Sequence, residues 1–296
     1  MRLVTFGEGA EQRIGVVDPD GGTLVDLSVA AAGLPRTMLG LIVGGEAALR
    51  QAREAAGAGK GRRKLAEVRL LAPIPRPAKN VFCVGKNYHE HAKEFHNSGF
   101  DASAGKNAVP EVPIIFTKWP EAVIGPGEAI DSSLDPTHSV DYEGELCVVI
   151  GKGGRTIRAA DAMHHVYGYT ILNDVTARTL QSRHRQWFLG KSLDTFSPMG
   201  PCIVTADEIP DPAKLLLQTF VNGELRQKAA VSDLIFDIPS LIETLSRSMT
   251  VSPGDLIATG TCAGVGIGFD PPKFLRPGDT VSITIEPIGT LDNPVR

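Results

Sequence analysis

The chain holds only four cysteines, Cys83, Cys147, Cys202 and Cys262, and no two of them share C-x-x-C spacing. That excludes a zinc ribbon or a thioredoxin-type redox pair. Three of the four stand in apolar, strand-like surroundings, so buried free thiols in a reducing cytoplasm are expected. No apolar run approaches the roughly 20 residues of a membrane-spanning helix, and Arg2, Glu8, Glu11 and Arg13 stand where a secretory signal needs an apolar core. A basic excess is missing too. The net charge is −4 over 296 residues, which argues against nucleic acid or a membrane surface as a partner. The one basic run, Lys60-Gly61-Arg62-Arg63-Lys64, sits among glycines and reads as a solvated linker. No internal repeat or low-complexity tract interrupts the chain. Nucleotide motifs also fail: Gly190-Lys191-Ser192 ends like a phosphate loop, but Arg185 stands where its leading glycine belongs, and the glycines of 260–268 do not fit G-x-G-x-x-G. What remains is a cytoplasmic globular protein, 42% hydrophobic, long enough for one large core with a small domain attached.

The most unusual stretch that is present is Asp141-Tyr142-Glu143-Gly144-Glu145, running on into Leu146-Cys147-Val148-Val149-Ile150. Alternate residues of a strand share a face, so Asp141, Glu143 and Glu145 are expected to stack three carboxylates on one side of an apolar strand. Such a stack demands a neutralising partner. Oxygen-only donors favour Mg²⁺, Mn²⁺ or Ca²⁺ over zinc; a solvated acidic face is the alternative. Around it, strands are expected at 2–6, 13–17 and 23–27, then a helix at 47–56, and a domain boundary near residue 66 between a small N-terminal domain (1–66) and a larger one (67–296). Further strands are expected at 80–84, 113–118, 167–172, 255–259 and 280–285, a hairpin across Asn222-Gly223, and an amphipathic helix at 238–248.

Gly85-Lys86-Asn87-Tyr88-His89-Glu90-His91-Ala92-Lys93-Glu94 directly follows a strand. If it is helical, His91 and Glu94 touch across one turn, a base with a carboxylate to orient it. Residues 97–112 have little periodicity and suggest a mobile lid. Asp174, at the end of the 167–172 strand, is the candidate third metal ligand, although an Asx cap on the helix that follows fits as well. Arg178 and Gln181 would lie on the same helical face as Asp174 and could hold an anionic substrate, Arg178 as a fork for a carboxylate. Lys191 is a candidate cation for a developing oxyanion or enolate.

Six blocks in order, G-K-N-Y-H-E-H-A-K-E (85–94), D-Y-E-G-E-L-C-V-V-I-G (141–151), G-Y-T-I-L-N-D-V-T-A-R-T-L-Q (168–181), G-K-S-L-D-T-F-S-P-M-G-P (190–201), T-G-T-C-A-G-V-G (259–266) and G-T-L-D-N-P-V (289–295), make residues 71–296 resemble the fumarylacetoacetate hydrolase superfamily. The resemblance implies a β-rich α+β fold, a mixed β-sandwich roll, and a homodimer. It places Glu143, Glu145 and Asp174 on Mg²⁺ or Mn²⁺, His91 and Glu94 in a catalytic dyad, Lys191 as electrostatic helper, and Arg178, Gln181 and Thr261 at the substrate. Cys262, Thr179 and Lys86 depart from residues common in the family. The expected chemistry is hydrolysis of a carbon–carbon bond in a 2,4-dioxo acid such as an acylpyruvate. Decarboxylation of an oxaloacetate-like acid or tautomerisation of a 2-hydroxydienoate on the same site is the alternative, and a metal-stabilised binding module is a third.

Overall fold

In the computed structural model, which describes residues 1–8, 11–101 and 108–296, two adjacent strands, Gly144–Ile150 and Val166–Asn173, are buried almost throughout. Their side chains alternate between two cores, as the pleat requires. Leu146, Val148 and Ile150 enter one, while Cys147 and Val149 enter the other. These strands are central in a large sheet. Its order is Arg62–Lys64, Thr23–Asp26, Glu11–Val17, Arg2–Glu8, Ser197–Thr205, Val166–Asn173, Gly144–Ile150, Leu256–Ala258, Val81–Gly85, Ile114–Lys118. Neighbours along this path are antiparallel, except that Leu256–Ala258 runs parallel to Val81–Gly85. The architecture is strand-rich α+β, as expected.

Each core has its own cover. On one face, the antiparallel strands Glu224–Ala230, Leu216–Val221, Thr280–Ile285 and Gly289–Pro294 form a second sheet, and with the helix Ile238–Ser246 they supply Leu217, Val221, Leu241, Ile242, Val281 and Ile283 to the core. On the other face, Met38–Val43 and Gly45–Ala58 bring Met38, Leu41, Ile42, Ala48 and Ala52 against Ile203 and Leu172. The Asn222-Gly223 hairpin forms as expected, with both residues at positive φ (52° and 79°). Elements not anticipated include the helices Leu27–Ala30, Met38–Val43 and Phe188–Lys191 and the strands Ser197–Thr205 and Gly289–Pro294. The basic run read as a solvated linker is corrected too, since Arg62–Lys64, though exposed, is an edge strand paired with Thr23–Asp26. The boundary expected near residue 66 falls in the short 3-10 turn Leu65–Glu67, while Arg2 and Leu3 pair with Val204 and Ile203 across the two expected domains. No described helix is long and apolar enough to cross a membrane.

The two sheets approach closely at Gly144. A Cβ there would collide with Thr219 Oγ1 and lie 3.2 Å from Ile283 Cγ2 and 3.4 Å from Gln227 Oε1. Gly144 is not at positive φ, so alanine would otherwise gain a few tenths of a kcal/mol from the less flexible unfolded chain. The clash outweighs that gain: Gly144→Ala is expected to lose about 1–3 kcal/mol, read as a lower denaturant midpoint at unchanged slope.

Candidate active site

The acidic stretch is not one strand. Val140–Asp141 pairs with Thr176–Ala177 in a separate ribbon, and the long strand starts only at Gly144. The expected stack of Asp141, Glu143 and Glu145 is therefore corrected: the break at Tyr142 and Glu143 turns Asp141 away. Hydrogen bonding accounts for the break. Asn173 Oδ1 accepts the Glu143 N–H at 3.0 Å, and the Glu143 carbonyl accepts the Asp174 N–H at 2.8 Å. Asp174 is thereby fixed beside Glu143. The following helix, Arg178–His184, begins beyond Thr176–Ala177 with Ala177 as its N-cap, so Asp174 neither caps it nor shares its face.

Three carboxylates converge instead. Glu143, Glu145 and Asp174, all buried, each offer an oxygen within 4.8 Å of the others. Two expected cations hold them: Lys191 Nζ is 2.6 Å from Glu143 Oε2 and 2.8 Å from Asp174 Oδ2, and Arg178 Nη1 is 2.7 Å from Glu143 Oε1. A third, Lys118, escaped the sequence reading because it only ended an apolar strand. It is fully buried, its Nζ lies 2.7 Å from Asp174 Oδ1, and it donates to the carbonyls of Val175 and Lys191. Burial opposes charge on Glu143, yet the Lys191 and Arg178 cations hold its carboxyl down to about 2. Burial likewise opposes charge on Lys191, but the Asp174 and Glu143 carboxylates keep its pKa above that of an ordinary lysine. Glu145 is the least compensated. Among the described residues it accepts one hydrogen bond, from Gly260 N–H at 2.8 Å. Burial, reinforced by the Asp174 and Glu143 charges, pushes its carboxyl well above the usual range. A buried cluster of oxygen donors with one under-neutralised carboxylate fits a hard divalent cation.

The histidine pair forms as expected. His89–Asn97 is a helix, His91 Nδ1 lies 3.0 Å from Glu94 Oε2, and Glu94 Oε1 accepts the Gly264 N–H at 2.9 Å. Glycine is required at 268 because a Cβ there would run into that carboxylate. Asn87, fully buried and unnoticed in the sequence, donates to the carbonyls of Thr259 (2.7 Å) and Phe236 (3.0 Å) and accepts from Phe236 N–H (2.8 Å). It thereby ties the start of the dyad helix to two loops. The lid expected at 97–112 lies partly outside the described residues, which omit 102–107.

The glycine loop after Leu256–Ala258 points its N–H groups at the protein's own carboxylates. Gly260 serves Glu145, Gly264 serves Glu94, and Gly266 and Ile267 donate to Asp141 at 2.6 and 3.2 Å. Asp141 also accepts from Arg178 Nε at 2.9 Å, so it clamps the loop to the helix Arg178–His184.

One cavity gathers His91, Glu143, Glu145, Arg178, Gln181, Lys191 and Thr261, with Lys86, Phe95, Phe116 and Trp187 in its wall. Glu94 and Asp174 stand just behind it, bonded to His91 and Lys191. Arg178 is 1% exposed; with Nε and Nη1 engaged, its buried Nη2 has no partner among the described residues. The Thr261 hydroxyl is already used, donating to the Gly144 carbonyl at 2.9 Å and accepting from Gln227 at 2.7 Å. Gln227, another buried residue missed in the sequence, also accepts the Gly144 N–H at 3.0 Å.

The family model described as fumarylacetoacetate hydrolase, C-terminal, matches residues 80–296. The oxaloacetate tautomerase YisK of Bacillus subtilis is 56% identical over 231 residues, covering 78% of this chain and 74% of the relative. A mitochondrial oxaloacetate tautomerase of Bos taurus is 42% identical, covering 100% of this chain and 91% of its own. Among solved structures, a fumarylacetoacetate hydrolase from Exiguobacterium antarcticum superposes with a TM-score of 0.85 at 42% identity, covering 100% of this chain and 99% of that one. A maleylpyruvate hydrolase from Sphingobium sp. SYK-6, solved with manganese(II) and pyruvate, gives 0.79 at 35% identity, covering 100% and 98%.

Proposed function

Because the chain is an enzyme of the fumarylacetoacetate hydrolase family, we propose that it is a divalent-metal-dependent tautomerase interconverting the keto and enol forms of oxaloacetate. The observation that carries this reading is His91, buried in the wall of a cavity lined also by Glu143 and Glu145 of the three-carboxylate cluster, with Glu94 3.0 Å behind it. Support comes from relatives that match the whole chain and are oxaloacetate tautomerases by name. Hydrolysis of a dioxo acid was the first expectation, argued from the dyad. A dyad, however, supplies a base for either reaction: tautomerisation needs one proton moved between C3 and the 2-oxo oxygen, whereas hydrolysis also needs a placed water and a leaving acyl group.

Glu143, Glu145 and Asp174 would hold Mg²⁺ or Mn²⁺, which would supply Lewis-acid polarisation of the 2-oxo group. Glu94 accepts from His91 Nδ1–H and so leaves Nε2 as the basic nitrogen. In the keto-to-enol direction His91 takes the C3 proton and delivers it to the 2-oxo oxygen. In the reverse direction it takes the enol O–H proton and places it on C3, so one base serves both steps. Lys191, kept cationic by Glu143 and Asp174, stabilises the charge gathering on the enolate oxygen. Arg178, through Nη2, binds the carboxylate next to the oxo group, and Gln181 and Thr261 complete the substrate wall. The expected homodimer belongs to this proposal and is read from sedimentation velocity.

The test follows the ultraviolet absorbance of enol-oxaloacetate with Mg²⁺ or Mn²⁺, beside product analysis for pyruvate and CO₂ and a parallel assay on acetylpyruvate. Interconversion faster than the uncatalysed rate is expected. Cleavage of acetylpyruvate with no effect on the oxaloacetate equilibration rate would restore the hydrolase reading.

A further inference from the structure

We propose that Lys86 selects substrates carrying a second carboxylate, by pairing with the distal carboxylate of a 2-oxo dicarboxylate in place of Asp101. The inference rests on the 2-oxo acid reading above and adds the residue that recognises the far end of the molecule. Three cations line the cavity: Lys86, Arg178 and Lys191. Two are committed to the site's own acidic residues. Lys191 lies 2.6 Å from Glu143 and 2.8 Å from Asp174, and Arg178 lies 2.9 Å from Asp141 and 2.7 Å from Glu143. Lys86 is different. Its Nζ lies 2.6 Å from Asp101 Oδ2, with both side chains only 4% exposed, and Asp101 follows the dyad helix in sequence, outside the carboxylate cluster.

A carboxylate therefore already rests on Lys86 at the cavity wall, and it marks where a substrate carboxylate would be neutralised. The backbone supports the placement. Lys86 has φ 54°, a left-handed conformation that a lysine adopts at a cost, directly after the strand Val81–Gly85. Its ammonium stands 5.4 Å from the centre of the Phe95 ring, and the Arg178 guanidinium stands 5.9 Å from the same centre. One rigid ring thus sets the two cations apart, Arg178 for the carboxylate beside the oxo group and Lys86 for the distant one. A dianion entering a cavity lined by Glu143 and Glu145 meets repulsion that Lys86 offsets. An uncharged substrate tail offers Lys86 no carboxylate in exchange for that of Asp101.

Binding isotherms with Mn²⁺ present test this with two ligands: 3,3-difluorooxaloacetate, which has no C3 proton to lose, and pyruvate, which lacks the second carboxylate. Lys86→Met is expected to weaken the diacid by about 10- to 100-fold, the worth of a charged hydrogen bond, and to change pyruvate by about twofold or less. Asp101→Asn removes the resident carboxylate and is expected to tighten the diacid while leaving pyruvate unchanged. Equal weakening of both acids by Lys86→Met, a weaker diacid with Asp101→Asn, or a wild-type protein that does not prefer the diacid would each overturn the assignment. Because neither measurement requires turnover, a diacid preference that vanishes in Lys86→Met without keto–enol interconversion sinks the tautomerase reading alone. Loss of the preference with turnover intact sinks the role of Lys86 alone.

Discussion

Glu145→Gln is expected to abolish most activity, by about 10³-fold, since loss of Lewis-acid polarisation removes several kcal/mol of transition-state stabilisation. The same change is expected to make the metal-free protein more stable. The two effects have one origin. Glu145 sits in a buried site with Glu143 and Asp174 beside it and, among the described residues, a single N–H donor, Gly260. Glutamine matches its shape and keeps an oxygen for Gly260, but it removes the charge that the neighbouring carboxylates repel. In chelator, Glu145→Gln should therefore melt higher than wild type. On adding Mn²⁺ the order should change: wild type gains stability by ligand linkage, while the variant gains little. Thermal melts with and without Mn²⁺ check both halves. A variant that melts below wild type in chelator would mean that Glu145 is a structural acceptor whose loss matters more than its charge, and the cation site would have to be placed elsewhere.

Much of this site was legible in the sequence because its chemistry is local. His91 and Glu94 share one turn of helix, and the carboxylates of Glu143, Glu145 and Asp174 stand out in otherwise apolar strands. What could not be read depends on pairing between distant segments. Strand alternation stacks Asp141 with Glu143 and Glu145, and only the Asn173 hydrogen bond to Glu143, which interrupts the strand, sends it to Arg178 and the glycine loop. Lys118 looked like the polar end of a strand; its burial depends on Asp174 and Lys191 arriving from separate segments. The strand Ser197–Thr205 was hidden by Pro198, Gly200 and Pro201, which weaken any strand signal, although it sits near the middle of the large sheet between Val166–Asn173 and Arg2–Glu8. Gln227 and Asn87 are ordinary polar residues in sequence. They become structural joints only because each meets unpaired backbone groups of other loops, where a buried amide can satisfy several partners at once.

The dyad carries the second large effect. His91→Ala is expected to lower keto–enol interconversion by about 10²–10⁴-fold, the usual contribution of a positioned base, and Glu94→Gln by a smaller factor. Glutamine at 94 can still reach His91, but as a neutral group it neither holds the imidazolium that forms during proton transfer nor fixes which nitrogen carries the proton. Its amide would also face the Gly264 N–H, which now donates to Glu94 Oε1 at 2.9 Å, so one side chain must satisfy two demands that the carboxylate met together. If Glu94 acts only through His91, adding Glu94→Gln to His91→Ala should cost almost nothing more, because the residues work as a unit. Exchange of the C3 hydrogens of oxaloacetate for solvent deuterium gives a direct readout of the base. Wild type should accelerate it, and His91→Ala should bring it near the uncatalysed rate. Lys191→Met should slow exchange while leaving the His91–Glu94 coupling intact. Additive losses in the double variant would detach Glu94 from His91, and rapid exchange in His91→Ala would assign the proton transfer to another group in the cavity.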